Sequence, residues 1–422
     1  MSITLRGKIV INLNTIEKPS IIELTLISTC DIIVTRGGEV MYKSYKFRLY
    51  PNKEQIDLIN ETIDCCRFVY NHYLVKMKTN GYMNAYSNLT DFTSVLKYET
   101  TFLQKIDNTT IRKTLIDLDN AYKKFFNKQG KYPKFKSKYS SNCYYTSAKH
   151  WSFKDKEYSN IELDLINRRI KLPNLNWVNI RGYRNVNNII GKIINASISK
   201  EPNGKYYVSV LYDIYDKTPE VNHSSIVGID LGIKKLLTLS DGTTYDNNRY
   251  IDKYEKRIKR KQRELFRKEK GSNNYSKCKK ELAILYGKLS NARKYYIHKI
   301  TKDITDEYDI ITCEKLYVKE MITRGTKTKL SKKINDATLS EILRQLQYKS
   351  DFKGKKFYQV DTFYPSSQVC SRCDHRDIKY KDLKERTYKC SECNLEMDRD
   401  LNASINIMFE GLKLYMKDLA RI

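Results

Sequence analysis

The sequence has few histidines. Its 422 residues include five, no two of them close together: His72, His150, His223, His298 and His375. A relaxase-type nuclease, which attacks DNA with a tyrosine, needs paired histidines for its metal, so this scatter argues against that chemistry. The sequence also has no GxxxxGK[ST] phosphate loop, and this absence argues against an ATP-driven motor.

Long apolar runs and a disulfide framework are lacking too. Residues 1–28 interrupt their apolar stretches with Asn, Glu, Lys and Pro, so they predict neither a signal peptide nor a membrane span. Six of the ten cysteines show no disulfide-like spacing: Cys30, Cys65, Cys66, Cys143, Cys278 and Cys313. We therefore expect a soluble intracellular protein in a reducing compartment, with no membrane partner.

Acidic residues are outnumbered by basic ones. The 78 Lys and Arg against 49 Asp and Glu give a formal net charge of +29, which favours a polyanionic partner and salt-dependent binding. The 34 tyrosines supply aromatic faces of the kind on which bases stack. The alternative stays open that most of them pack in the interior, and that an AT-rich genome raises the content of Lys, Asn, Ile and Tyr.

Four cysteines near the C-terminus have the spacing of a metal site. Cys370 and Cys373 form one CxxC pair, and Cys390 and Cys393 form a second after a spacer of sixteen residues. Two such pairs supply four thiolates for a tetrahedral zinc ribbon. Because no coordination position is left open, we expect a structural Zn²⁺ that takes no part in chemistry. The alternative is ordinary buried or disulfide-bonded cysteines.

The N-terminal half begins with a segment of different character. Residues 1–40 are unlike the rest of the chain, and Met41 is a candidate second start. Alternating apolar residues predict a strand over 43–50, after which Asn52 is expected to cap a helix. Apolar residues at steps of three and four predict a helical module over 53–128.

Short β segments come after the helical module, and the last of them contains a hairpin turn at Asn203 and Gly204. If the strand at 43–50 joins them, the helices are an insertion in a small β-barrel. Further along the chain, residues 253–280 hold thirteen Lys and Arg against three Glu in a predicted pair of helices. This density favours contact with a nucleic-acid backbone over an ordinary solvated helix face.

Three carboxylates occupy comparable places in the C-terminal half, which has an α/β order. Asp230 comes at the end of one predicted strand, Glu314 ends another, and Asp400 lies in the first turn of the closing helix. Strand ends on one edge of a sheet can converge, and such carboxylates bind Mg²⁺ or Mn²⁺ for phosphodiester hydrolysis. Taken singly, each is as typical of a cap or turn residue.

From Met41 to about residue 412 the sequence resembles the transposon-encoded TnpB family, compact RNA-guided nucleases related to type V CRISPR effectors. The resemblance covers nearly the whole chain and depends on six motifs in the order found in the family: YKFRLYPNKEQ at 45–55, YPKFKSK at 132–138, GIDLGIKKLLTLSDG at 228–242, EKLYVKEM at 314–321, YPSSQVCSRC at 364–373 and DRDLNASINI at 398–407.

The resemblance implies a fold and a function. Asp230, Glu314 and Asp400 would be a RuvC-like catalytic triad that binds Mg²⁺ or Mn²⁺ on an RNase H fold, and the zinc ribbon would bind target nucleic acid. The implied domains are a wedge-like β-barrel at 41–52 and 136–225, a helical recognition module at 53–135, a nuclease domain at 226–365 and 398–422, and the ribbon at 366–397. Family members cut DNA with a guide RNA made from the end of their own element.

Several positions depart from the family pattern. Asp374 and Asn394 replace the glycines that are common after each CxxC, and Tyr295 stands where an acidic residue is frequent. None of them removes a metal ligand, so an RNA-guided DNA endonuclease is the leading hypothesis. Two alternatives stay open: a guided DNA-binding repressor or transposition accessory protein on the same fold, and a transposase that shares the carboxylate chemistry and acts on the ends of its element.

Overall fold

The computed structural model describes residues 36–37, 40–138, 142–153, 156–182, 191–214, 221–324, 334, 337–381 and 385–421. Most of the predicted N-terminal extension lies outside these residues. The described chain divides into two compact units, one within residues 36–214 and the other within residues 221–421. None of its helices is both long and apolar enough to cross a membrane.

The helices of the first unit lie within the predicted module over 53–128, and the first of them begins directly after Asn52, as predicted. They are α1 (Lys53–Asn80), α2 (Ala85–Asp91), α3 (Lys97–Glu99) and α4 (Asn108–Phe126), with a π-helical turn at Phe92–Leu96 and a 3₁₀ turn at Thr101–Leu103. Asn52 and Gln55 form a capping box at the start of α1, in which each side chain accepts a hydrogen bond from the other residue's backbone N–H.

The strands of the first unit form an antiparallel sheet of eight strands and a separate hairpin of two. They are β1 (Arg36–Gly37), β2 (Val40–Tyr50), β3 (Cys143–Ser147), β4 (His150–Phe153), β5 (Lys156–Ser159), β6 (Glu162–Asp164), β7 (Arg169–Leu172), β8 (Asn176–Arg181), β9 (Gly191–Lys200) and β10 (Tyr206–Ile214). The order is β3-β9-β10-β2-β8-β7-β6, with β1 paired to β2, while β4 and β5 form a separate hairpin. The predicted turn at Asn203 and Gly204 joins β9 to β10.

The prediction of a closed β-barrel is wrong for the described residues, because their sheet is open, with β3 and β6 at its ends. Helix α1 covers the apolar face of this open sheet, which in a barrel would be covered by the sheet itself. Ile59, Ile63 and Cys66 of α1 pack in the same core as the inward residues Phe47 and Leu49 of β2. Burial of this face therefore does not require the sheet to close on itself.

The second unit is built on a mixed five-stranded sheet. Its strands are β11 (Ile226–Leu231), β12 (Lys235–Leu239), β13 (Thr244–Asp246), β14 (Ile310–Glu314) and β15 (Lys356–Val360), in the order β13-β12-β11-β14-β15. The first three are antiparallel neighbours, and β14 and β15 run parallel to β11. A small hairpin, β16 (Thr387–Lys389) and β17 (Glu396–Asp398), stands apart from this sheet.

The helices of the second unit are α5 (Tyr250–Phe266), α6 (Asn273–Glu307), α7 (Val318–Arg324), α8 (Leu339–Phe352) and α9 (Arg399–Leu419), with a 3₁₀ turn at Ile378–Lys381. Helix α9 lies tightly against the sheet, and two glycines permit this. A Cβ atom on Gly228 of β11 would lie 2.0 Å from the Ser404 carbonyl oxygen, and one on Gly411 would lie 2.0 Å from Thr312 Cγ2. This contact fixes the start of α9 beside the ends of β11 and β14.

Candidate active site

A cleft of about 1090 Å³ in the second unit includes in its lining the three predicted carboxylates, which come from three different elements. Asp230 is the penultimate residue of β11, Glu314 is the last residue of β14, and Asp400 is in the first turn of α9. The two strands are parallel neighbours, so both side chains emerge at the same edge of the sheet. All three carboxylates are half-buried.

Glu314 is held by a residue that sequence reasoning did not single out. Ser366 Oγ donates a 2.6 Å hydrogen bond to Glu314 Oε1. Ser366 is itself buried, and its carbonyl oxygen accepts a 2.8 Å hydrogen bond from Asn406 Nδ2 on α9. The orientation of Glu314 therefore depends on contacts made by two distant parts of the chain.

Asp400 lies beside two arginines. Arg386 Nη1 is 3.4 Å from Asp400 Oδ2, and Arg399 Nη2 is 3.4 Å from Oδ1 of the same carboxylate. Nearby, Asp398 caps α9 by accepting hydrogen bonds from the backbone N–H groups of Asp400 and Leu401, at 2.8 and 3.2 Å. The cap orients the first turn of the helix and with it the Asp400 side chain.

Asp230 lies close to other negatively charged carboxylates. Burial, followed by the negative charges of Glu314 and Asp400, raises the pKa of Asp230 to about 8. Burial also raises the pKa of Glu314, and the hydrogen bond from Ser366 opposes that rise. Oxygen ligands whose charges disfavour one another suit a divalent cation, which would offset them.

The spacing of the carboxylates is wider than that of the cysteines. In the described part of the chain, one group brings three or more Asp, Glu, His or Cys ligand atoms within 4.8 Å of one another. This group consists of the four cysteines. Asp230, Glu314 and Asp400 share one cleft but do not form so tight a set. Their donor chemistry fits Mg²⁺ or Mn²⁺, which commonly keep water molecules among their ligands.

The four cysteine sulfur atoms converge. Cys370 and Cys393 are 3.5 Å apart at Sγ, as are Cys373 and Cys390. A tetrahedral site with Zn–S bonds of about 2.3 Å places its sulfurs about 3.8 Å apart. The cluster therefore fits a structural Zn²⁺ with four thiolate ligands.

Each CxxC pair is closed by a tight turn. The Cys370 N–H donates to the His375 carbonyl at 2.8 Å, and the Cys390 N–H donates to the Leu395 carbonyl at 2.9 Å. Asp374 and Asn394, which come directly after the two pairs, have φ of 61° and 53°. These are the positions where the family resemblance leads us to expect glycine, and Asp and Asn are the other residues that tolerate this left-handed conformation.

Two asparagines of α9 form hydrogen bonds with the backbone of the four-cysteine ribbon and so connect it to the helix that carries Asp400. Asn402 Nδ2 donates to the Val369 carbonyl at 2.7 Å and Asn402 Oδ1 accepts from the Ser371 N–H at 3.0 Å, while Asn406 Nδ2 donates to Val369 at 2.7 Å. Sequence reasoning missed both residues. Their signal was present as two amides four positions apart on the buried stripe of a helix.

Three family models match parts of the chain. One described as "Probable transposase" matches residues 209–325, and one described as "Cas12f1-like, TNB domain" matches residues 340–407. The third, described as "Helix-turn-helix domain", matches residues 41–84. In the structure that last region contains strand β2 and helix α1.

Curated relatives match over most of the chain. The Escherichia coli K12 protein named "Putative RNA-guided DNA endonuclease InsQ" is 31% identical over 389 residues, covering 87% of this chain and 92% of the relative. "TnpB-like protein L79" of Acanthamoeba polyphaga mimivirus is 26% identical over 45% of this chain and 38% of its own length.

A solved structure has the same fold. It is the cryo-EM structure of a Cas12f1-sgRNA-target DNA complex, which matches with a TM-score of 0.55 and 14% sequence identity. The match covers 88% of this chain and 99% of the Cas12f1 chain. At this identity the likeness concerns the fold alone.

Proposed function

Because the chain belongs to the TnpB family of RNA-guided DNA endonucleases, we propose that Asp230, Glu314 and Asp400 are its catalytic residues and bind divalent cations. The observation that carries this proposal is the meeting of these carboxylates, from β11, β14 and α9, in one cleft. The order of the five-stranded sheet, in which parallel β14 and β15 extend an antiparallel β13-β12-β11 meander, supports an RNase H-like, RuvC-like nuclease fold.

In the proposed mechanism, the protein positions negatively charged carboxylates as ligands for divalent cations. Asp230 and Glu314, side by side at one edge of the sheet, would hold Mg²⁺ or Mn²⁺ together with Asp400. When bound, such cations stabilise the attacking and leaving oxygens of a phosphodiester. Ser366 keeps the Glu314 carboxylate in one orientation, and the cap provided by Asp398 fixes the first turn that carries Asp400.

The proposed partners are target DNA and a guide RNA from the end of the element. The net charge of +29 suits both, and the α5–α6 hairpin carries the basic run at 253–280. The Cas12f1 structure contains an sgRNA and target DNA, and relatives are named as RNA-guided endonucleases. In such a complex base pairing with the guide selects the sequence, while the protein contacts shape and backbone.

The decisive experiment expresses the full chain with the DNA that flanks the 3′ end of its gene, and sequences any RNA that copurifies. Cleavage of a target library is then measured with Mg²⁺. Asp230→Asn should abolish cleavage and keep RNA and DNA binding, because it removes a metal ligand and no phosphate contact. Asp57→Asn, an exposed change on α1, is the matched control.

Unchanged cleavage by Asp230→Asn would refute the assignment of the triad. RNA-dependent DNA binding by the unaltered protein without any cleavage would favour the guided repressor. Activity on the ends of the element without RNA would instead favour the transposase.

A further inference from the structure

Residues 122–138, here named the lysine–aromatic segment, form an unusual stretch of surface on the first unit. The sequence YKKFFNKQGKYPKFKSK contains seven lysines and no acidic residue. It covers the last turn of α4 and the chain beyond it. Four of its aromatic side chains are exposed, by 37% for Phe125, 52% for Phe126, 40% for Tyr132 and 57% for Phe135.

The exposed rings of Phe125 and Tyr132 are held in place by neighbouring contacts. After α4 the chain folds back, so that the Tyr132 ring packs edge-on against Phe125 at 5.3 Å and against Tyr122 at 5.6 Å. The Tyr122 and Tyr132 hydroxyls are 2.9 Å apart. Rings fixed in this way lose little entropy when a partner stacks on them.

The extended chain beyond Tyr132 is also fixed. The Asn71 side chain accepts from the Lys136 N–H at 2.8 Å and donates to the Lys136 carbonyl at 2.9 Å. Lys136 Nζ lies 4.1 Å from the centre of the Tyr70 ring, and Pro133 is buried. Between these two anchors, Lys134 and Phe135 are presented to solvent.

Most of the positive charge has no local counterion. Lys123 pairs with Asp119 at 2.9 Å, and Lys136 lies over Tyr70. Within the described residues no acidic partner is found for the other five lysines: Lys124, Lys128, Lys131, Lys134 and Lys138. Lysines without counterions attract phosphate groups, and the released ions contribute to the affinity.

Exposed aromatic rings next to lysines without acidic partners favour one class of binding partner. A DNA duplex would use the lysines and leave the rings exposed, because its bases are already stacked. An apolar protein surface would use the rings and leave the lysines desolvated without partners. Unpaired nucleotides use both, since each offers a phosphate and a free base face.

We infer that the lysine–aromatic segment is a stacking surface for unpaired nucleic acid, in which Phe126, Tyr132 and Phe135 contact bases and the unpaired lysines contact phosphates. The inference rests on the proposed function for the source of the strand, which is either the guide RNA or single-stranded target DNA.

The test measures binding to the full chain after nuclease treatment has removed copurified RNA. The probes are a labelled oligouridine, an oligothymidine of equal length and a DNA duplex, each titrated at several salt concentrations. Two variants are compared, Phe135→Ala and the triple change Lys128→Gln, Lys131→Gln and Lys134→Gln. Their controls on the same unit are Tyr98→Ala, at a 76% exposed ring, and the triple change Lys53→Gln, Lys78→Gln and Lys205→Gln at exposed lysines.

Phe135→Ala should weaken single-strand binding roughly tenfold without affecting the duplex. The triple lysine variant should reduce the slope of log affinity against log salt by about 2 for single strands. Both controls should match the unaltered protein. Preference for oligouridine assigns the surface to RNA, and preference for oligothymidine assigns it to DNA.

The inference would be overturned if Phe135→Ala and Tyr98→Ala bound single strands equally well. It would also be overturned if Phe135→Ala weakened duplex binding as much as single-strand binding. These affinities are measured without cleavage. A protein that binds single strands through this segment and cuts no DNA therefore contradicts the proposed function alone.

Discussion

At the scale of single residues, one hydroxyl group orients a candidate metal ligand. Ser366 donates to Glu314 Oε1 at 2.6 Å, and without this bond the carboxylate can rotate away from the cleft. Loss of a group that orients a metal ligand typically lowers metal affinity or activity about 10- to 100-fold. We expect Ser366→Ala to raise the Mg²⁺ concentration for half-maximal cleavage by about this factor, measured by titrating Mg²⁺ in the cleavage assay.

Two variants separate orientation from general damage to the cleft. Ser366→Thr keeps the hydroxyl and should restore most of the Mg²⁺ dependence, whereas Ser367→Ala removes a neighbouring hydroxyl in the same cleft and should change it far less. A Ser366→Ala protein with the Mg²⁺ requirement of Ser367→Ala would show that the hydrogen bond has no role in metal binding.

The sequence predicts the carboxylates better than the residues that hold them. Asp230 and Glu314 each come after a run of apolar strand residues, so their place at a sheet edge is a local signal. Ser366 lies 52 positions from Glu314, and only the folded chain brings them together. Arg386 reaches Asp400 from the position just before strand β16, a contact that no local pattern predicts.

At the scale of elements, the close packing of α9 on the sheet sets the position of Asp400. In the middle of a helix, replacing Gly by Ala normally stabilises by up to about 1 kcal/mol. At Gly411 the added Cβ would lie 2.0 Å from Thr312 Cγ2. We expect Gly411→Ala to destabilise the second unit by about 1–3 kcal/mol and to reduce cleavage, because α9 must move away from β14.

The measurement is denaturant unfolding followed by the cleavage assay. Gly130→Ala is the matched control for the unfolding measurement alone, because it lies in the lysine–aromatic segment; its Cβ would meet Lys124 Cβ at an ordinary 3.5 Å. It should leave stability unchanged or slightly raised. If Gly411→Ala were as stable as Gly130→Ala, the packing of α9 would be looser than the structure indicates.

Elements whose signals are local were predicted well. The capping box at Asn52 and the hairpin at Asn203–Gly204 depend on residues only a few positions apart. The closed barrel was wrong because closure depends on the pairing of distant strands. Strand β2 pairs with β10 along most of its length but with β8 only at Arg48–Tyr50, and α1 covers the apolar face.

At the scale of the whole molecule, the described residues form two hydrophobic cores in the first unit and one in the sheet of the second, and the ribbon adds a fourth that is very small. Its buried residues are Cys370, Tyr380, Tyr388, Cys390 and Leu395. So small a core cannot offset the loss of chain entropy, and a structural metal is the usual remedy. The stability of the ribbon should therefore depend on Zn²⁺, whereas the stability of the first unit should not depend on it.

We expect Cys390→Ser to abolish zinc binding at the four-cysteine cluster and to unfold the ribbon, leaving the first unit folded. Because Asn402 and Asn406 bind the ribbon backbone at Val369, and Asn406 also holds Ser366, cleavage should be lost although no carboxylate is changed. Metal analysis and hydrogen exchange of both units check this. Cys143→Ser, outside the ribbon, should keep its zinc. A Cys390→Ser protein that retained one tightly bound zinc per chain would contradict the four-thiolate site.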